Sequence, residues 1–165
     1  MTEQLHSLAY MHVKGSAQGA FLDDKSRAGK GKTLCLSVKF RGEVPHDIRG
    51  GQSHAVTKHD PISVVREWGP STAQFLTALW NNEILDEVGF EFVRQSAAGK
   101  EEVYATLTLK KATVAYVETH AGDAKHLLSE GWRSVDVIGL HFEKIEFKFT
   151  DGSGQATASY DRSKS

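Results

Sequence analysis

Between Glu83 and Thr150 the chain writes long apolar alternations that change phase partway along. In Val103-Tyr104-Ala105-Thr106-Leu107-Thr108-Leu109 the apolar residues fall on odd positions. After Lys110-Lys111, the run Ala112-Thr113-Val114-Ala115-Tyr116 places its larger apolar residues on even ones. A strand has a side-chain period of two, so a buried face survives such a slip only through an extra residue, a bulge or a bend. A second slip lies within what alternation reads as one final strand over 135–150. There Ile138, Leu140 and Phe142 are even, whereas Ile145, Phe147 and Phe149 are odd. Bulges bend strands and tighten their twist, as closing a sheet into a barrel requires. The slips predict a bent, closed β architecture whose function is one of shape.

The other elements follow from pattern. Leu8–Lys14 reads as a first strand, and 16–32 as a long polar loop of Gly, Lys, Asp and Ser. Leu34, Leu36, Val38 and Phe40 alternate with Cys35, Ser37, Lys39 and Arg41, which predicts a buried leucine face with Cys35 on the polar side. A second polar loop, 44–53, carries Pro45 and Gly50-Gly51, and a strand-like stretch from His54 to Val65 is interrupted at Asp60-Pro61. Gly69-Pro70-Ser71-Thr72 reads as a helix start, with Ser71 and Gln74 spaced as a capping box. Phe75 with Leu79 and Leu76 with Trp80 are i,i+4 pairs on a helix of about ten residues that Asn81-Asn82 ends.

Leu85–Gln95 and the strand from Glu101 form a hairpin around Ser96-Ala97-Ala98-Gly99-Lys100. A polar connection spans 119–135, Asp151-Gly152-Ser153-Gly154 breaks the last strand, and 155–165 reads as a flexible polar tail. The sum is about six or seven strands and one short helix in a single domain over 1–165, an antiparallel β-barrel of two sheets with the helix packed at its side.

Composition excludes several function classes. Lys plus Arg number 20 against 21 Asp plus Glu, without the basic excess of a nucleic-acid binder. Near-neutrality also removes long-range repulsion between copies. One cysteine precludes an intramolecular disulfide framework and leaves no cysteine cluster for zinc. The opening Met1-Thr2-Glu3-Gln4-Leu5 lacks a secretory signal pattern, and no apolar run approaches the roughly 20 residues of a membrane span. A cytoplasmic origin is expected, with any export independent of a cleaved signal and no membrane insertion.

Candidate chemistry is sparse. Gly29-Lys30-Gly31-Lys32-Thr33 ends like a phosphate-binding loop, but Ser26 stands where that motif has glycine, and the segment opens a strand rather than a helix. His54, His59, His120 and His126 lack metalloprotease spacing. Asp23-Asp24 lies among Lys25, Arg27, Lys30 and Lys32, which favour ionised, solvated acids. Cys35 carries no signature of a nucleophile. Phe75, Trp80, Phe90, Phe92, Tyr116, Phe142, Phe147 and Phe149 follow strand and helix faces and read as core, although a ligand-binding barrel would use similar residues. No catalytic, metal or cofactor residue is assigned, and no cofactor is expected.

Several local strings, in order, resemble the Hcp family, the tube protein of the bacterial type VI secretion system. They are Ala9-Tyr10-Met11-His12-Val13-Lys14-Gly15; Gly51-Gln52-Ser53-His54 followed by Thr57-Lys58-His59-Asp60; and Pro70-Ser71-Thr72-Ala73-Gln74-Phe75-Leu76-Thr77-Ala78-Leu79. Phe90-Glu91-Phe92-Val93-Arg94, Gly99-Lys100-Glu101-Glu102-Val103-Tyr104 and Phe142-Glu143-Lys144-Ile145-Glu146-Phe147 continue the series. Leu109-Lys110-Lys111-Ala112 sits where the family has Leu-Glu-Asn-Ala, at the first phase slip. The chain departs at Thr57-Lys58-His59, at Gly69-Pro70-Ser71 and throughout the loop 16–33.

The resemblance implies a homohexameric ring, rings stacked into a tube within a contractile sheath, a spike protein at the tip, small effectors in the lumen, and secretion on contraction. Lys30 and Lys32 of the long loop, with Ala98, Gly99 and Lys100 of the hairpin tip, are the expected inter-ring contacts by length and exposure of their loops. A monomeric small-ligand-binding barrel, hollow inside, is the alternative, and an enzyme with a histidine metal site is a third reading.

Overall fold

In the computed structural model, residues 8–22, 31–45, 56–121 and 134–164 are described. Their strands are β1 (Leu8–Gly15), β2 (Gly19–Ala20), β3 (Thr33–Lys39), β4 (Gly42–Glu43), β5 (Lys58–His59) and β6 (Ile62–Glu67). After helix α1 (Pro70–Trp80) come β7 (Leu85–Gln95), β8 (Glu101–His120), β9 (Val135–His141), β10 (Lys144–Asp151) and β11 (Gly154–Asp161). A 3-10 turn, Arg162–Lys164, follows.

One sheet closes on itself. Around the ring β8 pairs with β7, β7 with β1, β1 with β3, β3 with β6, β6 with β9, and β9 with β8 again, every pair antiparallel. The expected two sheets are thus one continuous wall, because β8 is long enough to serve as both first and last strand. A separate two-stranded ladder joins β4 to β5.

The two phase slips turn out to be neighbours. Through Ala105–Lys110, β8 pairs with β10; from Thr113 to His120 it pairs with β9. Between these stretches Lys111 takes φ 48°, and the buried face of β8 passes from Ala105, Leu107 and Leu109 to Ala112 and Val114. The final strand expected over 135–150 is two strands, parted at Phe142-Glu143. Glu143 N–H donates to Lys110 O at 3.2 Å, and Lys111 Nζ lies 3.6 Å from Glu143 Oε1. Both slips are one junction, where the barrel wall ends and the β10–β11 hairpin continues the sheet.

The tail expected to be flexible is β11 over Gly154–Asp161, paired residue for residue with β10. Exposed nearly throughout, it carries no alternation from which a strand is read.

The barrel interior is filled by its own side chains. Ile62, Val64, Val88, Leu107, Leu109, Ile138 and Leu140 have no solvent exposure and belong to one packed cluster with Phe75. Phe75 meets Phe21 edge-on at 5.1 Å between ring centroids. Burial of each such side chain contributes roughly 1.5–3 kcal/mol. Trp80, expected on the packed face of α1, is 75% exposed: the inward positions are Ser71, Phe75 and Ala78, which leaves Trp80 beyond the buried stripe.

A buried ion pair fixes the helix start. Arg66 Nε lies 3.5 Å from Asp136 Oδ2, joining β6 to β9, and neither side chain is exposed. The Thr72 hydroxyl donates to Asp136 Oδ2 at 2.6 Å and accepts from Arg66 Nη2 and from Gly69 N–H, each at 3.1 Å. Thr72, not the expected Ser71–Gln74 pair, therefore closes the helix N-terminus. Ser71 is taken by Arg66, and Gln74 Oε1 accepts from Leu22 N–H at 2.8 Å. Removing either partner of such a pair would leave an uncompensated buried charge, which is strongly destabilising.

Candidate interaction surfaces

The hairpin tip is a tight turn. Ser96 N–H donates to Lys100 O at 2.8 Å, Gly99 N–H donates to Ser96 O at 2.9 Å, and Gly99 holds φ 73°. A left-handed residue there favours glycine. Ala98, Gly99 and Lys100 are exposed.

Lys32 sits elsewhere. Its Nζ donates to Glu91 Oε2 at 2.7 Å, in the middle of β7, so its charge already has a partner within the subunit. Lys30, with Asp23-Asp24, His54 and His126, lies outside the described residues.

The register places the two candidate loops apart. Gly15 leads into the loop that returns at Thr33, whereas Leu8, at the other end of β1, is opposite Val93 near the end of β7. The long loop therefore leaves β1 at the end opposite the β7–β8 tip and returns at Thr33, opposite Met11 in the middle of β1, and the structure does not bring Lys32 together with Ala98, Gly99 and Lys100.

The described start of the long loop is clasped by an acid that alternation does not single out. Glu83 Oε1 accepts from Ala17 N–H at 2.7 Å and Gln18 N–H at 2.8 Å, while Oε2 accepts from Gln18 Nε2 at 2.7 Å. Burial pushes this carboxyl up, but the hydrogen bonds from Gln18 and Ala17 outweigh it and hold it below its ordinary value. Glu83 follows the helix-ending Asn81-Asn82, a position without periodic signal.

On the outer face, Glu87 bonds Lys110 and stands 3.1 Å from His12 Nε2. The bond to Lys110, then that to His12, lowers its carboxyl. The His12 ring lies over Gly89, where an added Cβ would come within 2.0 Å of it.

The first half of β3 presents the reverse of the expected face, whereas Val38, beyond the register shift between Cys35 and Ser37, packs partly against the core as expected. Cys35 is buried, whereas Leu34 and Leu36 are exposed at 38% and 52%. Cys35 lies opposite both Ala9 of β1 and Arg66 of β6, whose side chain is wholly buried, and this pairing turns the cysteine inward. Leu34 and Leu36 thereby add apolar area to the outside. Of the residues read as core, Phe75, Phe90 and Phe142 are buried, Phe92 and Phe147 partly so, and Tyr116 and Phe149 are exposed.

Thr33 opens β3, so Gly31-Lys32-Thr33 leads into a strand without the helix N-terminus of a phosphate-binding loop. Among the described residues no three His, Cys, Asp or Glu side chains group as metal ligands, and no helix is long and apolar enough to cross a membrane.

Residues 10–149 match the family model described as "Type VI secretion system effector, Hcp". The major exported protein of Pseudomonas aeruginosa is 25% identical over 159 residues, covering 88% of this chain and 92% of that protein. A crystallised Hcp protein superposes with a TM-score of 0.83 at 19% identity, covering 94% of this chain and 98% of its own. A mutant of Hcp1 from E. coli EAEC 042 superposes at 0.78 with 18% identity, and the secreted protein Hcp3 of Pseudomonas aeruginosa at 0.74 with 19%, each with the same coverage. At these identities the superpositions establish the closed barrel with its added strands, and the family model extends over most of the sequence. This chain belongs to the Hcp family of type VI secretion proteins.

Proposed function

We propose that the chain is the structural tube subunit of a type VI secretion system. Six copies close into a ring, rings stack into an inner tube within the contractile sheath, and the tube carries small effectors behind a spike protein. Assembly takes place in the cytoplasm, and export follows contraction. The observation that carries this reading is the match to the Hcp family model over residues 10–149.

The physical arrangement supports it. A ring of identical subunits uses heterologous contacts that close by rotation. Stacked rings then need different elements on their two faces, and the long loop and the hairpin tip leave opposite barrel ends. The monomeric ligand-binding alternative is disfavoured by the interior, where Val64, Leu107, Leu109, Ile138 and Leu140 fill the space a ligand would occupy.

Light scattering with negative-stain microscopy tests the reading. The expected result is a hexameric mass and six-fold rings; a strictly monomeric mass over a wide concentration range overturns it. The inter-ring assignment is tested separately. Lys100→Glu, at the exposed tip, weakens stacking while leaving the ring mass unchanged. Lys30→Glu with Lys32→Glu is expected to do the same, although Lys32→Glu also breaks the bond to Glu91. Unchanged stacking in both variants rejects these contacts.

A further inference from the structure

Where β9 and β10 part, the structure has a cavity of about 280 Å³ between the barrel and its C-terminal hairpin. Its apolar lining includes Phe40, Ile62, Phe142 and Phe147, drawn from the ends of β3, β6 and β9 and from β10. His59 and Tyr160 line it too, their ring centroids 4.7 Å apart, and His59 meets Phe142 edge-on at 5.1 Å. The volume lies at the small end of ligand sites, the size of a single-ring compound.

Two polar atoms in this lining are unmatched among the described residues: His59 Nε2 and Tyr160 Oη are both buried there without a hydrogen-bond partner. Buried polar atoms in that state are rare in folded proteins and call for an explanation. At the rim Arg41 Nη1 donates to Asp60 at 3.0 Å and Nη2 to Glu43 at 2.6 Å, so its guanidinium is already shared between two carboxylates. Burial, and then the nearby Arg162, hold the His59 imidazole below its ordinary value, so it is neutral at pH 7. A neutral imidazole nitrogen beside a phenol oxygen suits one N–H or O–H group.

We propose that this cavity binds a small uncharged aromatic compound bearing one hydroxyl or amide, its ring against Phe142 and Phe147 and its polar group between His59 Nε2 and Tyr160 Oη. Both atoms are shielded, so binding requires the His59 and Tyr160 side chains to shift apart far enough to uncover them. The cavity lies within one subunit, between the barrel and its C-terminal hairpin.

The test is a titration of the intact protein with 4-methylphenol, followed by methyl NMR of Ile62 and Ile145, both of which line the cavity. The expected result is a saturable shift of these two methyls. Toluene, lacking the hydroxyl, should bind about fivefold more weakly, the worth of one neutral hydrogen bond. The anion 4-methylbenzoate should leave the shifts unchanged. Ala158→Trp, at an exposed cavity-lining position, should abolish the response, and Tyr160→Phe should bring 4-methylphenol down to the toluene level. No saturable shift, equal binding of toluene, or a response that persists in Ala158→Trp overturns the proposal.

Discussion

The barrel body and the C-terminal hairpin are parts of one sheet, yet they are built to different standards. In the body, Ile62, Val64, Leu107, Leu109, Ile138 and Leu140 are fully buried on strands with neighbours on both edges. In the hairpin, Ile145, Phe147 and Tyr160 are only partly buried against that core, and β11 is the last strand of the sheet, its outer edge unpaired among the described residues. The boundary is the junction of Lys110-Lys111 with Phe142-Glu143, where β8 exchanges one partner strand for another. A sheet can thus be continuous in hydrogen bonds and discontinuous in packing, and a phase slip marks where the change occurs.

Truncation on either side of the junction should expose this contrast most strongly. Leu140→Ala leaves a hole in a core without slack and should cost about 2–5 kcal/mol. Ile145→Ala, on the half-buried hairpin face, should cost under about 1.5 kcal/mol. Urea unfolding followed by far-UV circular dichroism reads both, and equal losses would erase the distinction between the two regions.

Next in size is Gly139→Ala, on β9 within the body. A Cβ there would lie 2.2 Å from the Tyr116 ring, so the ring must be displaced, at about 1–3 kcal/mol. Tyr116→Ala in the same chain should recover most of that loss. Failure of the double variant to recover would mean that the ring is not what the glycine accommodates.

At the junction itself, Lys111 holds a left-handed backbone at φ 48°. A β-branched residue tolerates that conformation poorly, so Lys111→Val should destabilise by about 1–2 kcal/mol, whereas Lys111→Gly should be near neutral. Equal thermal midpoints for the two variants would show that the slip does not depend on this residue.

The smallest expected effect is one of pH at the hairpin. Burial, then Arg162, depress His59, so the folded state binds its proton less readily than the unfolded chain does. That contribution to stability is fully present above the ordinary histidine value near pH 6.5 and is lost progressively as pH falls below it. His59→Gln should flatten this part of the stability–pH curve. A variant curve that still parallels the wild type between pH 7.5 and 5.5 would assign the slope to other groups.

Both slips, the 85–120 hairpin, the helix over 70–80 and the family were legible in the residues, because alternation and turn chemistry are local properties. The hairpin tip was legible too, through Gly99. The clasp of Glu83 on residues 17 and 18 was not, because its partners lie over sixty positions away. Nor was the pairing of Lys32 with Glu91, for the same reason. β11 was missed because an edge strand exposed on both faces has no apolar period to betray it.

What the sequence by itself determined was where most of the strands run and where the faces of β8 and of the 135–150 stretch change phase. It did not determine which face lies inside. In the first half of β3 the same alternation is satisfied with Leu34 and Leu36 inward or with Cys35 inward, and only pairing with β1 and β6, beside the buried Arg66, selects the second, after which a register shift returns Val38 to the core side. Tertiary structure also decided that the two slips are one place, and that β8 closes the barrel with its second half after leaving β10. The physical reason is that a strand's period is fixed by its own backbone, whereas its inside is defined by its neighbours.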